Sequence, residues 1–168
     1  MNKARLKTEL SILYNNPNNS EEQFIRSFAD LFYRFLLEIP GEGLAYPPVN
    51  LTLGIALKGE IEDIFVNNMK NITLDLTPEE YTQKIAISLD TLYNIIPQIL
   101  QITPTDVIIP SVVLLSRDLI SLTKPVMINP ASTSYDVANA IVEGFVIQLQ
   151  TTTIFISSLN TTLNWITS

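Results

Sequence analysis

The chain contains no cysteine and no histidine. Without cysteine there is neither a disulfide framework nor thiolate chemistry. Without histidine the chain lacks the residue that most often serves as a general base and as a transition-metal ligand. It also lacks the glycine-rich phosphate loop with its lysine and the Gly-x-Ser-x-Gly turn of serine hydrolases. We therefore expect no catalytic residue, no metal and no cofactor, and we expect a protein that is not an enzyme.

Charged side chains are scarce. They make up 16% of the 168 residues, whereas hydrophobic residues make up 46%; an ordinary soluble chain has about a quarter charged residues. The net charge of −7 argues against binding to nucleic acid or to an anionic membrane surface, and no apolar run reaches membrane-spanning length without interruption. A surface with so little charge is either rich in Asn, Thr and Ser or partly covered by a partner.

The most informative pattern is a helical-hairpin unit that recurs three times. Its first half has aliphatic residues at offsets of 0, 4 and 7, which form one face of a 3.6-residue period. Its second half begins with an aromatic residue, followed five positions later by alanine. The aliphatic sets are Leu6, Leu10, Leu13; Leu57, Ile61, Ile64; and Leu115, Leu119, Leu122, and the aromatic–alanine pairs are Phe24/Ala29, Tyr81/Ala86 and Tyr135/Ala140.

Three hairpins that cannot each bury their own apolar face would share one core. We therefore predict a mainly α protein, a bundle of about six helices built from three helical-hairpin repeats in a single domain, 1–168. The units are approximately 2–38, 51–96 and 111–160, with a connector at 39–49. Because any two amphipathic helices share such offsets, chance similarity remains an alternative. The third unit is the weakest, since Asn139 and Glu143 interrupt its pattern.

Capping signals locate the helix starts. Ser20 with Gln23, Thr77 with Glu80 and Thr133 with Asp136 each fit a cap followed by its polar partner at the third position. Helices are predicted over 2–15, 20–38, 50–68, 77–96, 111–122 and from 133 to about 160. Additional expectations are a short strand at 72–76, an end or kink at Pro97, a helical segment after Thr103-Pro104 that Pro110 interrupts, and, as an alternative to helix, a strand within the β-branched stretch 147–156.

Several groups of residues are weighed as functional candidates. The adjacent acids Glu21-Glu22 and Glu79-Glu80 fit helix starts, where carboxylates favour the macrodipole, better than paired catalytic carboxylates, which need burial. Glu60, Glu62 and Asp63 fit a solvated helix face better than a cation site. The stripe Phe24, Phe28, Leu31, Phe32 and Phe35 is assigned to core packing, with an apolar ligand pocket as the alternative. Gly41-Glu42-Gly43 is interpreted as a hinge or contact loop, and Trp165 as a partner contact or a core plug.

The chain resembles small virion proteins of tailed bacteriophages. The resemblance rests on Leu-Lys-x-Glu-Leu/Ile blocks, on Ala4-Arg5-Leu6-Lys7 at the start of a helix, and on the turn Tyr14-Asn15-Asn16-Pro17. It covers most of the chain but includes no motif as specific as a metal-ligand set, and the connector at 39–48 departs from it. It implies a structural role in a head, neck, tail or baseplate, with assembly in the host cytoplasm.

Two functions follow from these observations. The first is a non-enzymatic structural protein of a bacteriophage virion that contacts other virion proteins or itself, with a homo-oligomer expected. The second is a soluble helical binding module that docks a peptide or a small apolar ligand between its hairpins. The first is favoured because the chain is rich in apolar residues and poor in charge.

Overall fold

The computed structural model describes residues 2–38, 51–99, 108–110, 116–151, 154–156 and 161–163, with side chains at 2–38, 55–92 and 119–150. The described chain is mainly helical, as predicted. Its helices are α1 (Lys3–Tyr14), α2 (Glu21–Glu38), α3 (Leu51–Met69), α4 (Pro78–Ile99), α5 (Ser116–Met127) and α6 (Ser134–Thr151). The short strands β1 (Ile108–Pro110), β2 (Ile154–Ile156) and β3 (Thr161–Leu163) form an antiparallel sheet in that order.

The six helices form a closed bundle. Each helix packs against the next one along the chain, and α6 packs against α1. The turns at 15–20, 70–77 and 128–133 each join two neighbouring helices, and we call the end of the bundle where they lie the turn end. Two contacts tie these turns together: Ser134 Oγ donates to Asn15 Oδ1 at 2.7 Å, and the backbone N–H of Asn71 donates to Glu21.

A capping box lies at the start of the helix that follows each of these turns. The cap hydroxyl accepts a hydrogen bond from the backbone N–H three residues on, and the side chain at that position accepts one from the cap N–H. These paired bonds satisfy N–H groups that a helix start would otherwise leave without partners. For each pair, the first distance is that of the bond donated by the cap N–H and the second is that of the bond accepted by the cap hydroxyl: 2.9 and 3.2 Å for Ser20 and Gln23, 2.9 and 3.2 Å for Thr77 and Glu80, and 2.7 and 3.3 Å for Thr133 and Asp136. The predicted helix starts are confirmed at all three.

Aromatic rings from three helices meet in the core. Phe32 and Phe145 pack edge to face with ring centroids 5.0 Å apart, and Phe28 lies 4.8 Å from Phe32 and 6.3 Å from Phe65. Together with Phe35 these side chains are fully buried, and burial of each phenylalanine contributes roughly 2–3 kcal/mol. The aromatic stripe of α2 is therefore core packing, as the sequence favoured.

Some predicted elements differ from the structure in the second unit. The strand at 72–76 is wrong, because the chain turns at Asn71, whose φ of 64° is left-handed, and successive backbone bonds such as Leu74 N–H to Asn71 C=O keep the segment in turns. Helix α4 also does not end at Pro97 but continues to Ile99; the alternative, a kink at Pro97, stays a prediction.

The third unit differs more. Helix α5 continues past Leu122 through Pro125 to Met127, and Pro110 lies in β1 rather than within a helical segment. The predicted helical residues 111–115 lie outside the described residues. Helix α6 ends at Thr151, and β2 follows it. The prediction of helix to about 160 is thus wrong at Ile154–Ile156. The alternative of a strand within 147–156 is confirmed at these three residues, where Ile154 and Ile156 are β-branched, but is wrong at 147–151, which are helical. The other residues of 152–160 lie outside the described residues.

The aromatic–alanine pair of the third unit differs from the other two in its aromatic member. Ala140 is buried like Ala29 and Ala86, but Tyr135 is 49% exposed, whereas Phe24 and Tyr81 pack against the core. The connector at 39–49, Gly41-Glu42-Gly43, Thr103-Pro104 and Trp165 lie outside the described residues.

We expect Gly144→Ala to destabilise the fold. A Cβ atom at this position would lie 2.6 Å from Leu119 Cδ1 and 3.5 Å from Leu119 Cα. Leu119 is fully buried, so its side chain would have to leave its packed position or α5 would have to shift. Overpacking of this kind costs roughly 1–3 kcal/mol, which outweighs the gain of about 1 kcal/mol from replacing glycine in a helix.

Gly59→Ala is the matched control for this prediction. Gly59 is exposed within α3, and an added Cβ meets nothing within 4 Å, so this variant should gain up to about 1 kcal/mol. Urea unfolding followed by circular dichroism measures both. Equal changes in the two variants would contradict the close packing of α5 against α6.

Candidate functional site

Glu21 holds the turn between α3 and α4. Its Oε1 accepts a hydrogen bond from the N–H of Asn71 at 3.0 Å, and its Oε2 accepts from the N–H and the hydroxyl of Thr73 at 3.1 and 2.6 Å. The Thr73 hydroxyl bond, followed by the two N–H bonds, lowers the pKa of Glu21 even though burial opposes the shift. The Glu21 carboxylate thus accepts hydrogen bonds from backbone N–H groups of the turn at 70–77, in place of acceptors within the turn itself. One of these N–H groups belongs to Asn71, the residue with the left-handed backbone.

The other acids of the two pairs also have structural contacts. Glu22 contacts Arg26 of its own helix at 2.9 Å, and Glu79 pairs with Lys124 of α5. Glu80 accepts from both the N–H and the hydroxyl of Thr77. Hydrogen bonds, from Lys124 to Glu79 and from the Thr77 N–H to Glu80, lower the pKa of each carboxyl. The structure therefore places these acids at separate helix starts, and Glu21 and Glu79 bridge different helix pairs.

A continuous chain of alternating charges crosses α1, α2 and α3. We call it the ion ladder. It begins where Glu9 contacts Arg5 at 2.6 Å and Arg34 at 3.0 Å, and Arg34 in turn contacts Asp30 at 2.9 Å. It continues through Asp30–Lys58 at 2.5 Å, Lys58–Glu62 at 3.7 Å, Arg26–Glu62 at 3.5 Å and Arg26–Asp63 at 2.9 Å.

The ladder neutralises its own charges. Asp30 Oδ1 and Arg34 Nε make their contacts as ion pairs without hydrogen-bond geometry. Burial would raise the pKa of Glu9, but the hydrogen bond from Arg5 and the charge of Arg34 outweigh it and lower that pKa. Because most of these side chains are partly exposed, each pair is worth no more than about 1 kcal/mol. The ladder therefore orients α1, α2 and α3 more than it stabilises them.

A groove of about 550 Å³ runs along the ladder. In the lining of the groove, residues of α2 lie between residues of α1 and residues of α3. Ile12, which is 64% exposed, forms an apolar edge. Its lining is Glu9, Ile12, Leu13, Asn16, Asn19, Arg26, Ser27, Asp30, Leu31, Arg34, Lys58 and Glu62. Because the cations and carboxylates that line this groove are paired with one another, the groove has polar groups along its length but no concentrated electrostatic potential of one sign.

Sequence reasoning missed this groove. Glu60, Glu62 and Asp63 are neighbours in the sequence, where they suggest a solvated helix face or a cation site. In the structure Glu62 and Asp63 contact Arg26 across the helix interface, while Glu60 is exposed. Among the described residues no group of three or more acids could hold a metal ion. A signal was present in the opposite charges four residues apart: Arg5/Glu9, Glu22/Arg26, Asp30/Arg34 and Lys58/Glu62.

Two hydroxyl pairs, one partly buried and one buried, join helices near the turn end. The hydroxyls of Tyr14 and Tyr81 lie 2.7 Å apart, and those of Thr82 and Thr123 lie 2.9 Å apart. Burial raises the pKa of both tyrosines well above its usual range, so both stay neutral. Each hydroxyl therefore has a partner inside the bundle, as a buried polar group requires.

The described surface also carries isolated large apolar side chains. Most lie on helices, while Leu74 and Ile128 lie in turns at the turn end. They are Ile12, Ile55, Leu74, Ile87, Ile128, Tyr135 and Ile147, with exposures from 41% to 71%. These residues are candidates for contacts with another protein chain.

No family model, no curated protein and no solved structure matches this chain. In the part of the chain that the structure describes, none of the helices has the length and apolar character to cross a membrane.

We expect Glu21→Gln to lower the free energy of unfolding by about 1 kcal/mol at pH 7, because a neutral amide accepts hydrogen bonds less strongly and Glu21 is partly exposed. The pKa of Glu21 is lower in the folded chain than its ordinary value of 4.5. Its stabilisation is therefore present above pH 4.5 and is lost as pH falls through the folded pKa. The difference between wild type and variant should shrink below pH 4.5.

Glu22→Gln is the control, because Glu22 lies beside Glu21 in the sequence and contacts Arg26 within the same helix. Thermal unfolding between pH 7 and pH 3 checks both variants. A pH-independent effect of Glu21→Gln, or an equal effect of Glu22→Gln, would contradict the role of Glu21 in the turn.

Proposed function

We propose that the protein is a non-enzymatic structural component that works through protein–protein contacts in the virion of a tailed bacteriophage. The proposal rests on how charged and apolar side chains are distributed over the described surface. Only 16% of residues are charged, many of them pair with one another between helices, and large apolar side chains remain exposed. Such a surface suits contact with protein better than contact with a charged ligand.

The ion pairs support this proposal by their positions. They join α1 to α2, α2 to α3, α4 to α5 and α6 to α1. Charges used in this way favour these helix neighbours and already have partners within the chain. We infer that the other virion proteins, or further copies of this chain, meet the protein through its uncharged surface.

We also propose that the bundle consists of three repeated hairpins. Helices α1 and α5 are both 12 residues long, and α2 and α6 are both 18. If the first hairpin is aligned with the third, Lys3 corresponds to Ser116 and Glu38 to Thr151, and the alignment needs no gap between these ends. The capping boxes of Ser20 and Thr133 fall at corresponding positions. So do two Asn-Pro turns, in which the side chains of Asn16 and Asn129 accept from the N–H two residues on.

Burial supports this register. In hairpins one, two and three, corresponding positions of the second helix are buried together: Phe28, Ile85, Ile141; Ala29, Ala86, Val142; and Phe32, Leu89, Phe145. The first helices match as Leu6, Ile61, Leu119 and Leu10, Phe65, Thr123. The second hairpin needs only a longer turn. Tyr135 then corresponds to the exposed Glu22, which explains why it lies outside the core.

The groove along the ion ladder favours a second candidate function, a binding module for a peptide. The aromatic stripe that first suggested an apolar pocket is filled by core contacts, so the groove now carries this alternative. A peptide with alternating charges and an apolar residue beside Ile12 would suit its lining. Thermal-shift measurements with short peptides test it, and Arg34→Met should abolish any stabilisation that depends on the groove.

We expect the purified protein to associate at micromolar concentration, and we expect its light-scattering mass after size exclusion to rise with concentration. Association should survive high salt, because apolar contacts are not screened as ion pairs are. Mass spectrometry of purified phage particles should also recover the chain. Its absence from particles would rule out the virion role, and a monodisperse monomer would count against assembly through its own surface.

A further inference from the structure

Helix α1 differs in charge from the chain as a whole. It contains the cations Lys3, Arg5 and Lys7 and a single acid, Glu9, whereas the whole chain has a net charge of −7. Two of these cations reach α6: Lys3 contacts Glu143 at 3.4 Å, and Lys7 contacts the same carboxylate. A cationic helix therefore lies against an otherwise acidic chain.

The apolar face of α1 is complementary to the other helices as well. Leu6 and Leu10 are fully buried, and Leu13 is 8% exposed. At the end of the helix the ring of Tyr14 lies 5.4 Å from that of Phe24 in α2. These contacts depend on the side chains of α1 and not on its covalent connection, so α1 of another copy would make the same contacts in this place.

The turn at 15–20 joins α1 to α2 through hydrogen bonds that are mostly local and exposed. Asn16 Nδ2 donates to Asn19 Oδ1 at 3.3 Å, and the N–H of Asn18 donates to Asn16 Oδ1 at 3.1 Å. The N–H groups of Asn15 and Asn16 bond back into α1. Opening this turn therefore breaks few bonds, and an extended segment of its length spans roughly 20 Å, which is enough for α1 to reach an adjacent copy.

We propose that two copies of this chain associate by exchanging α1, so that α1 of each copy packs between α2 and α6 of the other. This inference rests on the proposed assembly function and specifies how a homo-oligomer forms. The partner is a second copy because the surface beneath α1 already matches this helix in its apolar side chains and in its ion pairs. Exchange of an identical element is a low-cost route to a dimer, since it preserves those contacts.

Charge favours exchange over the docking of two intact bundles. Two copies of net charge −7 repel each other. In the exchanged dimer Lys3 and Lys7 of each copy contact Glu143 of the other, so attractive pairs cross between the chains.

The position of the hinge adds a second contribution. Because the turn at 15–20 lies at the turn end, exchange brings the turn ends of the two copies together. Leu74 and Ile128 lie in the neighbouring turns and are 61% and 63% exposed. Burial of these side chains between the copies favours the dimer over the closed single chain.

The exchange can be measured by cross-linking, because the chain has no cysteine of its own. Asn15 at the end of α1 contacts Ser134 at the start of α6, so Asn15→Cys with Ser134→Cys places two thiols for a short bismaleimide. In the exchanged dimer these thiols belong to different chains. After cross-linking of the associated fraction, a denaturing gel should show at least a tenfold excess of two-chain over single-chain product.

Glu79→Cys with Lys124→Cys is the matched control. These residues pair between α4 and α5, which stay in one chain whether or not α1 is exchanged. The same reagent should therefore give single-chain product from the same associated fraction. Circular dichroism and sedimentation equilibrium check that both double variants keep the wild-type fold and association constant.

Single-chain product from the Asn15 and Ser134 pair, in a protein that associates, would overturn the exchange and leave the assembly function standing. A wild-type chain that stays monomeric would overturn the exchange as well, while its recovery from phage particles would still support the virion role. Two-chain product from a chain that is absent from particles would support the exchange and reject the virion role.

Discussion

The structure depends on an apolar core that no single hairpin can enclose. Phe32 of α2 packs against Phe145 of α6, and Phe28 of the same helix packs near Phe65 of α3. Two helices side by side leave such rings half exposed to water, and each ring is worth roughly 2–3 kcal/mol only when it is buried. Six helices in a closed arrangement remove that exposure, so the formation of each hairpin is coupled to the others.

Charge then acts on the outside of this core. The ion ladder and the pairs Lys3–Glu143 and Glu79–Lys124 lie between helices that the core has already brought together. Partly exposed pairs of this kind add little stability, but they disfavour incorrect helix neighbours, because a shifted helix would bring like charges together. A chain with few charged residues has thereby used many of them for its own architecture. Much of the rest of the described surface is polar or apolar, although acids such as Glu60 and Asp75 are also exposed. This division is the physical basis of the proposed assembly role.

Local signals were the most predictable part of the fold. The hydroxyl of Thr77 and the carboxylate of Glu80 lie three residues apart, so their mutual hydrogen bonds need no distant partner, and the helix start follows from sequence alone. The same holds for the 3.6-residue apolar period of the helices. The third hairpin was harder, because its aromatic residue Tyr135 mimics the pattern of Phe24 and Tyr81 while facing outwards. The cap at Thr133 is a stronger physical constraint than an aromatic match, and the register of the proposed repeat follows it.

The candidate site was less predictable than the fold. Glu9, Arg34 and Lys58 are far apart in the sequence, and the pairs within single helices were the only sequence signal of the ladder. Likewise the role of Glu21 at Asn71 needs two turns to meet, which no local pattern can indicate.

The sequence by itself determined that this chain is mainly helical, where its capped helices begin and that Phe28, Phe32 and Phe35 of α2 lie in the core, because caps and apolar periodicity act within a few residues. The tertiary structure alone decided that α6 returns to α1, that Ile154–Ile156 pairs with β1 and β3, and that Ile87 is exposed. Those outcomes depend on which surfaces meet, and surfaces meet only after the bundle has closed.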